Sequence, residues 1–168
     1  MMDVLMRDLR QPEYLHVLLN PIPVYGLAVA LIGLLVALLM RSRRGQIVAL
    51  VLVLFSAGMA WPVFALGERS YDRVLSMSDD DGQAWLKAHE DRAEDLVWFF
   101  YALALLSLAA IAVPAKFPRS AVPLALATLL FGIAVFGMGG YIAYAGGKIR
   151  HREFRNVPPP KVEEEESG

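Results

Sequence analysis

The stretch 22–40, IPVYGLAVALIGLLVALLM, holds no Asp, Glu, Lys, Arg or His over nineteen residues. At a rise of ~1.5 Å per residue it reaches about 28 Å as a helix, close to the thickness of a bilayer's hydrocarbon core. It reads as a membrane span, and three further apolar runs of similar length follow it: 46–66, 96–113 and 121–145. The sequence therefore predicts an all-α fold, an integral membrane antiparallel four-helix bundle. Its spans are joined by short basic turns on one side and by a longer polar connection, 67–95, on the other.

Composition agrees. Of the 168 residues 57% are hydrophobic, and the mean hydropathy is +0.46. With no cysteine, disulfides, thiolate metal sites, thiol nucleophiles and thioether-linked haem are excluded. The start of the chain mixes Asp3 and Asp8 with Arg7 and Arg10 and lacks the layout of a signal peptide, so the first span is expected to stay in the mature protein. Residues 1–21 read as an interfacial arm. Pro21 and Pro23 oppose a continuous helix just ahead of them, which places His16 near the mouth of the bundle.

Small residues recur at helical spacing. Gly26, Ala30, Gly33 and Ala37 fall on one stripe of the first span, and Gly132, Gly137, Gly139 and Gly140 thin the fourth; such faces let another backbone approach closely. Pro123 is tolerable in the first turn of its span. Gly146 and Gly147 are expected to end that helix. Beyond them lie a basic juxtamembrane segment from Lys148 to Arg155, a proline run and the acidic stretch Glu163 to Glu166. The segment 146–168 is expected to leave the bundle and finish disordered.

Within 67–95, Ser78 and Asp79 suit a helix start, because their oxygens accept the free amide hydrogens of a first turn. From about Gln83 one helix is expected to run unbroken into the third span. On it Trp85, His89, Ala93 and Leu96 share an inward face, while Lys87, Glu90, Asp91 and Glu94 face water. The run Asp79 to Gly82 lacks the ligand spacing of a calcium loop. Glu90 and Glu94, one turn apart, lack a visible second set of carboxylates and read as a solvated face.

Charge is divided by side. The short turns carry Arg41, Arg43, Arg44, Lys116 and Arg119 and no acid, while the other side holds eleven basic and all seventeen acidic residues. Arginine in short turns marks the cytoplasmic face. The Lys148 to Arg155 cluster pulls the other way, and the reading taken is that both termini lie outside, with the basic turns setting topology. No charged residue falls inside a span, which argues against a pump or an ion-coupled transporter.

All three histidines, His16, His89 and His151, fall at the same end. Imidazole is a common metal and haem ligand, and His16 with His89 is the candidate cofactor-binding pair; the alternative is two interfacial side chains satisfied by water or backbone. Two stretches carry a resemblance. His16-Val-Leu-Leu-Asn-Pro-Ile-Pro23 is similar to the opening motif of a family of bacterial membrane proteins called domain of unknown function 2231. Gly137-Met-Gly-Gly-Tyr-Ile-Ala-Tyr-Ala-Gly146 resembles that family's last span, and His89 resembles its histidine at span three. The resemblance implies a four-span fold in a bacterial cytoplasmic membrane. This chain departs from the pattern at Pro21, Met138 and Ala145, where the family carries histidines. If those histidines bind haem or a redox metal, this chain keeps His16 and His89, with Met138 as a conceivable thioether ligand.

Two functions follow as expectations. One is a non-catalytic accessory or assembly subunit, which uses its small-residue faces and the 67–95 connection to contact other membrane subunits or a second copy. The other is a small b-type haem electron-transfer protein with His16 and His89 as axial ligands. A lipid-facing enzyme is a third and the weakest reading, because no nucleophile, base and orienting group form a visible set. Neither a nucleic-acid partner nor a soluble substrate is expected.

Overall fold

A computed structural model of the chain describes residues 6–160. The first five residues of the expected arm and the Glu163 to Glu166 stretch lie outside them. Four helices are long and apolar enough to cross a membrane: α1 (Pro12–Leu39), α2 (Arg43–Ser76), α3 (Asp80–Ala115) and α4 (Pro118–Arg150). They form an all-α bundle in which α1 packs on α2 and α4, and α3 packs on α2 and α4.

The core is built from residues that recur on one stripe of each helix. Leu27, Leu34, Leu50, Val53, Leu103 and Val135 are fully buried. On the opposite faces Val29, Ile32, Leu39, Leu105 and Leu130 are each more than 60% exposed. An apolar belt of that kind is unfavourable in water, and it suits lipid chains. Inside the bundle, Ser107 donates a 2.7 Å hydrogen bond to the carbonyl of Leu50, joining α3 to α2 where no water competes.

Ahead of Pro21 and Pro23 the regular α-helix stops at Leu19; a turn at Asn20 and a π turn over Ile22–Gly26 then carry α1 on into the α-helix that starts at Leu27. Two other local readings of the sequence are corrected. The 67–95 stretch is almost entirely helical. α2 runs on to Ser76 and α3 begins at Asp80, because Tyr71, Val74 and Leu75 pack against the buried Trp85 and Leu86. Finally, α4 passes through Gly146 and Gly147 and ends at Arg150. At 34 residues α2 measures about 50 Å against ~30 Å of hydrocarbon. The excess of α2 and α3 projects at the end that carries the histidines.

Candidate functional site

His16 and His89 come together. Their ring centroids are 6.3 Å apart and the rings are nearly perpendicular, at 89°. His16 reaches in from α1, and its Nδ1 lies 2.9 Å from the carbonyl oxygen of Val63 on α2. His89 reaches in from α3, and its Nδ1 lies 3.0 Å from the carbonyl oxygen of Ile142 on α4. A carbonyl only accepts, so each Nδ1 carries the proton and donates. Each Nε2 is left without a hydrogen-bond partner among the described residues. Four helices thus fix two imidazoles and keep one ring nitrogen of each in reserve, the arrangement in which a backbone acceptor orients a metal-ligating histidine.

Glycines make room for both rings. A Cβ on Gly67 would sit 3.2 Å from Cε1 of His16, and one on Gly146 would sit 3.0 Å from Nδ1 and Cε1 of His89. Gly146 therefore serves close approach inside a helix, which explains why it does not end one. Open space lies on both sides of the pair. Toward the mouth is a cavity of about 460 Å³, walled by Tyr14, Val17, Phe64 and Leu86, with Glu68, Glu90 and Arg150 also lining it. Toward the bilayer is a pocket of about 70 Å³ against Phe100 and Gly139.

The remaining predicted residues fall elsewhere. Met138 lines neither cavity beside the pair. His151 is exposed, and its Nδ1 lies 2.9 Å from Glu153. Of the small residues, Ala30 and Ala37 are buried. A Cβ on Gly26 would meet Ser56 at 2.9 Å, on Gly33 Ala49 at 3.8 Å, on Gly132 Leu31 at 2.5 Å and on Gly139 Phe100 at 3.2 Å. Gly137 and Gly140 have nothing within 4 Å and face outward.

Other groups at this end were missed in the sequence. Glu68 of α2 joins Glu90 and Glu94 of α3, with their carboxylate oxygens within 4.8 Å of one another; reading 67–95 as a connection hid it. Lys148 belongs to the segment read as juxtamembrane, yet it is only 3% exposed. Its Nζ donates to the Tyr144 hydroxyl at 2.7 Å and lies 4.3 Å from the Trp85 ring centre. The chain after α4 folds back, and Arg155 grips Asp79 through two 2.9 Å contacts while Arg152 adds a third. The Arg155 hydrogen bond, more than any other influence, holds the Asp79 carboxyl down to about 2.

Compared with known protein families, with curated proteins and with solved structures, the chain matches none.

Proposed function

We propose that this is a membrane electron-transfer protein whose His16 and His89 hold haem b. The observation that carries the reading is the pair itself, two imidazoles from separate helices, each anchored through Nδ1 and free at Nε2. His16 and His89 would hold the group from separate helices, and their ring centroids lie 6.3 Å apart. The donor set suits iron, the cavities on both sides offer space, and Arg150 offers a cation for a propionate. Bound there, haem would supply one-electron chemistry, and the protein would supply its orientation.

The setting belongs to the same reading. The four spans run antiparallel in a bacterial cytoplasmic membrane, the basic turns face the cytoplasm, and the termini and the histidine pair lie outside. Membership of the family called domain of unknown function 2231 is part of this proposal and rests on the motifs around His16, His89 and Gly137 to Gly146. The test is a visible spectrum of the protein purified in mild detergent from haem-sufficient cells, oxidised and then dithionite-reduced. The reading expects a Soret band and bands that sharpen on reduction, both lost in His16→Ala and His89→Ala. A featureless spectrum removes it.

A second reading is favoured by the outward Gly137 and Gly140. They make α4 thin on a face that nothing among the described residues covers, as suits a non-catalytic accessory subunit or a homo-oligomer. It expects Gly137→Leu to lose a co-purifying partner while the purified chain keeps its own stability. Unchanged co-purification removes it.

A further inference from the structure

At the end of the bundle opposite the histidines a cavity of about 540 Å³ opens between the two short turns, lined by Arg41, Arg43 and Gln46 and walled by Leu38, Pro118 and Val122. We propose that it binds the phosphodiester headgroup of an anionic phospholipid. Every polar side chain lining it offers donors. Arg43 has committed Nη2 to the carbonyls of Ala110 and Ile111, at 3.1 and 3.4 Å, and Nη1 lies 3.5 Å from Oε1 of Gln46. Because a guanidinium only donates, the Gln46 oxygen must face it, and the amide nitrogen of Gln46 turns the other way.

Gln46 is 3% exposed, and that nitrogen has no hydrogen-bond partner among the described residues. The side chain is held in place through its oxygen, and its amide nitrogen is left to donate to an acceptor that enters the cavity it lines. Arg41 adds a full charge at the rim. It does so at φ 52°, in the left-handed region where an arginine is strained and a glycine would be the ordinary occupant.

Among the described residues no ion pair reaches this end. No acidic residue occurs between Glu13 and Glu68 or between Asp95 and Glu153, so Arg41, Arg43, Arg44, Lys116 and Arg119 stand as one uncompensated patch. An acceptor-only phosphate oxygen complements it, and the amine of a zwitterionic headgroup is repelled by it. The walls favour a lipid over free phosphate. Leu39, Met40 and Val122 are strongly exposed and apolar, giving acyl chains a surface that leads out of the cavity into the belt. Basic pockets between spans bind anionic headgroups by the same balance of charge and apolar wall.

The test is native mass spectrometry of the full chain in mild detergent, titrated with phosphatidylglycerol, phosphatidylcholine or inorganic phosphate. Phosphatidylglycerol is expected to be retained in preference to phosphatidylcholine, and Arg41→Gly to weaken it by about fivefold. Arg41→Gly also relieves the strained φ, so a thermal melt at or above that of the parent shows that the loss is not unfolding. Gln46→Leu, which nearly preserves volume, is expected to weaken retention as well. Arg44→Ala and Arg119→Ala remove the same charge outside the cavity and are expected to keep the preference. Equal retention of phosphatidylcholine overturns the proposal. So does an equal loss in Arg119→Ala, which would mean diffuse charge, or displacement of the lipid by equimolar inorganic phosphate, which would mean a free-phosphate site.

Discussion

At the histidine end of the bundle, cations and carboxylates interleave. Arg73 meets Glu13 at 2.7 Å, Lys87 meets Glu90 and Asp91, and Arg152 and Arg155 close on Asp79. At the other end Arg43 finds only neutral carbonyls and an amide, and no carboxylate lies in either turn. The first end carries acids enough for its cations, so those ion pairs hold segments of the chain to one another. The second end does not, and its charges are left to act on what lies outside.

The largest effect expected at the compensated end comes from glycine, not from charge. Gly146→Leu drives branched carbons into an imidazole that the Ile142 carbonyl holds in place. Overpacking of this kind costs about 1–3 kcal/mol. The expected result is a lower denaturation midpoint in detergent together with loss of any cofactor spectrum. Gly137→Leu, with open space around it, should leave the midpoint of the isolated chain unchanged. If the two variants behave alike, the ring at His89 is not packed as described.

Of comparable size is Arg43→Met at the uncompensated end. It keeps most of the stem's apolar bulk and removes the guanidinium that bonds the Ala110 and Ile111 carbonyls of α3. Hydrogen bonds to a charged group contribute about 1.5–3 kcal/mol. Arg44→Met beside it, without such bonds, should fall within about 0.5 kcal/mol of the parent. Equal losses would mean that the charge of this end, rather than the carbonyl contacts of Arg43, sets its stability.

The contrast between the ends was visible in the sequence, because acids and bases sort by side along the chain and the spans carry neither. The spans were visible for the same reason, and His89 could be set on an inward face from its spacing with Trp85 and Ala93. The depth of the histidine end was not. Whether Arg69 to Ser76 is loop or helix depends on Tyr71, Val74 and Leu75 finding Trp85 and Leu86 across a turn, which is a tertiary contact with no local signature. Glu68 and the fold-back of Arg155 were lost with it. Gly146 misled for a different reason, since a glycine that stops a helix and one that admits a neighbour's ring look identical in one sequence. Arg41 gave no warning at all, as arginine carries no preference for the left-handed conformation it adopts.

A smaller effect separates buried from merely paired charge at the histidine end. With its carboxyl held down to about 2 by Arg155, Asp79 lies below the ordinary carboxylate range in the folded chain. A depressed folded value stabilises fully above the unfolded value and is lost as pH falls through the folded one. The clamp on residues 152–155 should therefore hold down to about pH 4 and release progressively as pH approaches 2. Hydrogen exchange of the Phe154 and Arg155 amides, both bonded within that segment, reports it. Asp79→Asn keeps a capping oxygen for Gly82 and should abolish the pH dependence; a release that persists in this variant would place the titrating group elsewhere.

The smallest effect tests whether proximity of opposite charges at this end is itself stabilising. Arg73 and Glu13 approach to 2.7 Å, but the arginine side chain is 57% exposed, so water and salt screen the pair and two long side chains lose freedom to form it. Such a pair contributes roughly 0–1 kcal/mol. Arg73→Ala should shift the midpoint by no more than that, and added salt should erase the difference. The cation of Arg155, only 8% exposed and gripping Asp79 from two nitrogens, should be far less sensitive to salt. If Arg73→Ala instead costs as much as Arg43→Met, the ion pairs of the histidine end are as essential as the carbonyl contacts opposite, and compensation within the fold no longer distinguishes the two ends.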